Sequence, residues 1–162
     1  MTDISSEEGK QQGRSVAERM ANRLMINVPG SGRNAKLRKV IDLVNGDDEL
    51  YALWIAGNVN AVERLGMTDH GPVHIKIVMN IADKLFRLLT DHGVQPAVVT
   101  NYAMDLDDAE LIVALASLLH DTGMSIHRAD HESFSLFIAQ KKLAEILEQV
   151  YDRATAAVVR SE

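Results

Sequence analysis

The sequence predicts an all-α protein, and three observations carry the prediction. Apolar residues recur at the i, i+3, i+4, i+7 spacing that lines one side of a helix, as in Leu37, Val40, Ile41 and Val44. Asn or Asp stands before several such runs and Gly closes them, which are helix start and stop signals. One run, Leu111 to Leu119, is apolar nearly all round, as suits a helix buried at the middle of a domain. The expected architecture is a bundle of about six to seven helices.

Residues 1–14 are polar and lack apolar periodicity, so a disordered tail is expected there, followed by one helical domain over 15–162. The first helix is expected from Ser15 to about Ile26, with Val16, Met20, Leu24 and Met25 on one side. Pro29-Gly30-Ser31-Gly32 breaks the chain. The second helix runs from about Asn34 to Val44 and stops at Gly46. Asp47 caps a third helix through Leu50, Trp54, Val59 and Leu65, ended by Gly66. Pro72 is tolerated only in a first turn, so the fourth helix begins near Asp69 or His70 and continues through Ile77, Val78, Ile81, Leu85 and Leu88 to Gly93. Val94–Met104 reads as a loop or a short extended piece. Asp105 or Asp107 caps the fifth, apolar helix, which runs into His120-Asp121-Thr122-Gly123. The sixth helix opens near Asp130, with Phe134, Phe137, Ile138, Leu143, Ile146, Leu147 and Val150 as its apolar face. Ala154–Arg160 starts a further apolar helix with no stop signal. The domain is therefore expected to be incomplete at its C-terminus, and this form either to make a homodimer or to be of limited solubility.

Composition narrows the function. The 162 residues carry 17 Lys+Arg against 23 Asp+Glu, a net charge of −6, which argues against nucleic acid or an anionic membrane as partner. There is no cysteine, so disulfides, zinc fingers and a thiol nucleophile are excluded. Any metal must sit on His, Asp or Glu, which favours Mn, Fe, Zn, Mg or Ni. No apolar stretch approaches a membrane span and the N-terminus has no signal core, so a cytoplasmic protein is expected.

Five of the six histidines fall in two short windows, His70 and His74, then His120, His127 and His131. His92, at a helix end, stands apart and suits the helix dipole there. His120-Asp121 ends a buried helix, and Gly123 then turns the chain. Adjacent helical residues point about 100° apart, so one ion can take both only where the helix is ending. His74, followed by Val78 and Ala82 at i+4 and i+8, lies on or beside the buried side of its own helix. Inward histidines next to an inward aspartate are costly unless something positive neutralises them, and a divalent metal does so.

The pattern His74…His120-Asp121, with His120–Glu132 reading HDTGMSIHRADHE and Gly66–Ala82 reading GMTDHGPVHIKIVMNIA, resembles the HD superfamily of metal-dependent phosphohydrolases. The resemblance covers roughly Asn34 to the end of the sequence. It implies an all-helical HD-type bundle that hydrolyses a small phosphorylated substrate, a nucleotide or cyclic nucleotide, with one or two divalent ions. On that resemblance His74, His120 and Asp121 match the ligands of the first metal, and Asp121 bridges to a second. His127 and His131 resemble the extra histidines of two-metal branches; the competing reading makes His131 merely the first residue of the sixth helix. Asp69 and His70, one turn before His74, could orient water or protonate the leaving group; Asp69 also reads as a helix cap. Met124 stands where several branches carry a phosphate-binding lysine, and Arg128 is the candidate substitute. The family's last ligand aspartate has no match, since Asp130 reads as a cap and Asp152 as embedded in a helix. A catalytically inactive module that binds metal or nucleotide is the alternative.

Two further motifs fail on context. Gly30–Lys36 lacks the strand and the Lys-Ser/Thr of a phosphate loop, and no Gly-x-Ser-x-Gly elbow is present.

Overall fold

Five helices begin where a Ser, Asn or Asp oxygen accepts a hydrogen bond from the backbone of the first turn, the positions being Ser15, Asn34, Asp47, Asp105 and Asp152. Each satisfies donors the helix cannot pair internally. The computed structural model describes residues 14–162; the expected tail lies outside them but for Arg14. The described residues form eight α-helices and no strand: α1 (Val16–Ala21), α2 (Ala35–Gly46), α3 (Asp48–Asn58), α4 (Pro72–Asp91), α5 (Ala97–Tyr102), α6 (Leu106–Leu119), α7 (His131–Leu147) and α8 (Arg153–Ser161). The protein is all-α. No helix among the described residues is long and apolar enough to cross a membrane.

Helix α6 is the axis of the core. Leu111, Ala114, Leu115, Leu118 and Leu119 are buried on it, and α4 packs along its length with Ile75 and Met79. Leu37, Val40, Ile41 and Val44 of α2, with Leu50 and Trp54 of α3, complete the cluster. Burial of one such side chain contributes about 1.5–3 kcal/mol. The turn that follows α6 is clasped by α3 and α7.

Several elements differ from the periodicity, each for a local reason. The first helix stops at Ala21 instead of Ile26, because side chains take over the backbone of the next segment. Tyr51 Oη accepts from Leu24 N–H, and Asn45 exchanges two hydrogen bonds with the backbone of Ile26. The third helix gives way at Val59 to a π-turn over Val59–Arg64 before Gly66 takes a left-handed φ of 63°. The fourth begins at Pro72, later than expected, and buries Ile75, Met79 and Asp83 while Ile77, Ile81, Leu85 and Leu88 stay exposed. The segment after Pro96 is helical, as α5. Asp130 is left-handed and makes no side-chain cap, and α7 buries Ser135 and Lys142 with Ile146 and Leu147 while Phe137 is exposed. Lys142 is held inward by Asp47, Glu49 and Glu145. Asp152 is the cap of α8, not a residue embedded in a helix.

A buried polar cluster joins α4 to α6 and α2. Arg87 donates from Nε to Glu110 at 2.6 Å, and its guanidinium lies 3.3 Å from Asp83. Asn34 donates to the other Glu110 oxygen at 2.8 Å. Two carboxylates thus share one guanidinium. Burial pushes the Asp83 carboxyl up to about 6; Arg87 opposes the rise and the Glu110 charge adds to it.

The native state therefore holds this proton at a pH where the unfolded chain has released it. Wherever the native state binds more protons, stability falls as pH rises. Asp83 weakens the fold progressively between the ordinary aspartate pKa and about 6, by up to about 3 kcal/mol, and adds no further change above that. Asp83→Asn removes the titration. In urea melts the stability of D83N relative to the parent should climb from about pH 4 to about pH 6.5 and then level; parallel curves would contradict this account.

Candidate metal centre

A helix ends with carbonyl groups that have no intrahelical partner, and at the end of α6 three of them are taken by side chains. His120 Nδ1 lies 2.8 Å from Ser117 O, Trp54 Nε1 donates to Leu118 O at 3.1 Å, and Thr122 Oγ1 donates to Leu119 O at 2.8 Å. His120 keeps helical angles (φ −55°, ψ −35°), whereas Asp121 departs to φ −105°, ψ 7°. Asp121 thus leaves the regular helical path, where adjacent side chains point about 100° apart, and its carboxylate lies beside the His120 ring. A short 3₁₀ turn, Thr122–Ser125, follows, with Thr122, Gly123 and Met124 buried.

Three donor atoms converge. His74 Nε2 lies 3.4 Å from His120 Nε2 and 3.2 Å from Asp121 Oδ2, and His120 Nε2 lies 3.1 Å from the same oxygen. Among the described residues these three form the one group of His, Asp and Glu side chains with metal-site spacing. Donors about 2.0–2.1 Å from one divalent ion lie roughly 2.9–3.4 Å apart for angles between 90° and tetrahedral. The spacing fits. The chemistry fits as well: Nδ1–H of His120 donates to the Ser117 carbonyl, so in the neutral imidazole the lone pair sits on Nε2, the atom facing its partners.

The charges agree. Asp121 is 7% exposed, and burial pushes its carboxyl up, yet the His120 hydrogen bond and the neighbouring imidazoles outweigh that and hold it below the ordinary value. His120 is raised, first by its bond to Asp121. His74 is lowered, chiefly by burial, with the Asp121 charge opposing.

The remaining predicted residues fall in three places. His131 Nε2 approaches the other oxygen, Asp121 Oδ1, at 3.4 Å, and its Nδ1 lies 3.1 Å from both the carbonyl and the guanidinium of Arg128. His70 stacks on His74 with centroids 5.3 Å apart, its Nδ1 2.7 Å from Thr68 O. Asp69 accepts from Gly71 N–H and, at 3.0 Å, from His74 N–H, so its Oδ1 fixes the start of α4. His127 is exposed, accepts from Ala129 N–H, and stands outside the three-donor group.

Residues that hold the site in place carry no motif. Trp54 and Thr122 fix the end of α6, and Asn58 Oδ1 accepts from His70 N–H at 3.0 Å. Asn60 donates to the carbonyls of Met124 and Ser125. For Trp54, Asn58 and Asn60 the partners lie 12 to 65 residues away along the chain, beyond any local pattern. An apolar groove of about 420 Å³ between α6, α7 and α8 opens beside His120, lined by Leu115, Leu119, Leu136 and Arg160 among others.

The chain is 36% identical over 105 residues, 65% of its length, to an uncharacterised protein of Methanocaldococcus jannaschii. It spans 40% of that relative. No family model matches the chain. No solved structure matches it.

Gly123 is where the site is least tolerant. A Cβ there would lie 2.0 Å from His131 O and 2.6 Å from Ser135 N, both backbone atoms, while Gly123 N–H donates to the buried Ser135 Oγ at 2.9 Å. Gly123→Ala must push α7 away from the turn, and a loss of about 3 kcal/mol or more is expected in denaturant melts. A change under about 1 kcal/mol would contradict the packing described.

Proposed function

We propose that this chain is a metal-dependent phosphohydrolase of the HD type, acting on a small phosphomonoester or phosphodiester such as a nucleotide or cyclic nucleotide. The observation that carries the reading is the convergence of two imidazole nitrogens and one buried carboxylate oxygen within 3.4 Å of one another. The resemblance of Gly66–Ala82 and His120–Glu132 to HD proteins supplies the reaction class.

His74, His120 and Asp121 hold a divalent ion, which when bound lowers the pKa of water and withdraws charge from phosphoryl oxygens. The Ser117 carbonyl keeps His120 in the tautomer that presents Nε2. Asp121 turns Oδ2 to the two histidines and Oδ1 to His131, and Oδ1 with His131 are the donors that would hold a second ion. His70 can take or release a proton at Nε2 while its Nδ1–H stays on the Thr68 carbonyl, which is what a general acid at the leaving oxygen requires. Arg128, beside His131, offers a positive charge to phosphate.

The donor group numbers three among the described residues, and this favours a second reading, a module that binds metal or nucleotide without turnover. One experiment separates the two. Protein purified without chelator is analysed for metals and assayed with bis(p-nitrophenyl) phosphate and added Mn. The hydrolase reading expects retained metal and Mn-dependent turnover that falls at least about 100-fold in His74→Ala and Asp121→Asn. Metal retention without turnover selects the binding module. Absence of retained metal, with no change on His120→Ala, overturns both.

A further inference from the structure

Helix α4 is apolar on two opposite faces. One i, i+4 row, Ile75, Met79 and Asp83, is buried against the core. The opposite row, Val73, Ile77, Ile81, Leu85 and Leu89, is 52–55% exposed at every position, as is Leu88 beside it. A helix on the surface of a monomer carries polar residues on its outer face; one apolar on both faces is covered on both.

We propose that this outer row is an interface with α4 of a second copy of the chain, the two helices running antiparallel about a two-fold axis at Ile81. Every position of the row is aliphatic, so an antiparallel pairing about a two-fold axis sets aliphatic against aliphatic throughout, as a self-complementary contact requires. In that register Ile81 meets the partner's Ile81, Ile77 meets the partner's Leu85, and Val73 meets the partner's Leu89. Charge fits too: Lys84, the charged residue beside the row, falls opposite the partner's Val78, while Lys76 turns away to the Met25 carbonyl, so no like charges are set against each other. Six half-exposed aliphatic side chains offer roughly 500 Å² per copy, so a two-fold pair covers roughly 1,000 Å², the lower bound for a specific interface. The stem of Lys84 adds to it. This contact is distinct from the apolar C-terminal segment, whose Ala156 and Val159 are buried in the chain's own core.

The absence of cysteine makes the test clean. Ile81→Cys places one thiol per chain on the axis, and mild oxidation should give a disulfide-linked dimer as the main product. Light scattering across a concentration series should show the parent dimerising, with at least a tenfold weaker association in Ile77→Glu or Leu85→Lys. Mixing those two variants should restore association, because the carboxylate introduced in one copy then faces the ammonium introduced in the other. Circular dichroism of each variant confirms that it is folded. A parent that stays monomeric at several hundred micromolar overturns the proposal. So does a dimer that neither cross-links through position 81 nor responds to the two charge variants.

Discussion

A buried carboxylate at the end of a buried helix is the constraint around which the rest is arranged. Asp121 is almost wholly withdrawn from water, and an ionised carboxylate in such a place is sustained only by positive charge or by several donors. The fold gathers imidazoles around it from three directions: His120 from the same turn, His74 from α4 and His131 from the start of α7. Imidazole is suited to both needs, since its protonated form is a cation and its neutral form presents a lone pair to an ion.

The scaffold serves that gathering. Helix α4 lies along α6, so His74 reaches the end of α6 from the side. The carbonyls at that end are satisfied by His120, Trp54 and Thr122, so the helix can stop inside the protein without orphaned acceptors. Gly123 lets α7 pass at a distance no side chain would permit, and this close passage brings His131 to Asp121. The site is thus a meeting of three helix ends, and the packing of the core sets its dimensions.

Much of this was legible in the sequence, and the rest was hidden for physical reasons. Periodicity and capping residues gave α2, α6 and the length of α4, because local spacing encodes a helix face. The pairing of His74 with His120-Asp121 was legible through motif and spacing. Periodicity did not disclose that α1 ends at Ala21, because the competing bonds come from Asn45 and Tyr51, far along the chain. It also misjudged α7, where Ser135 and Lys142 turn inward: a buried polar residue is stabilised by partners that no local window contains. For α4 the apolar residues alone did not tell which of two faces meets the core. His131 and His127 look alike in the sequence, yet the left-handed turn at Asp130 precedes the helix that directs only His131 to Asp121.

In the proposed centre His74, His120 and Asp121 grip one cation together. X-ray absorption at the zinc edge, on protein loaded with one equivalent of zinc, tests it most directly. Nitrogen and oxygen neighbours are expected about 2.0–2.2 Å away, with outer-shell scattering from two imidazoles that drops to one in His74→Ala. A zinc shell without imidazole scattering, or one unchanged by that substitution, would contradict it.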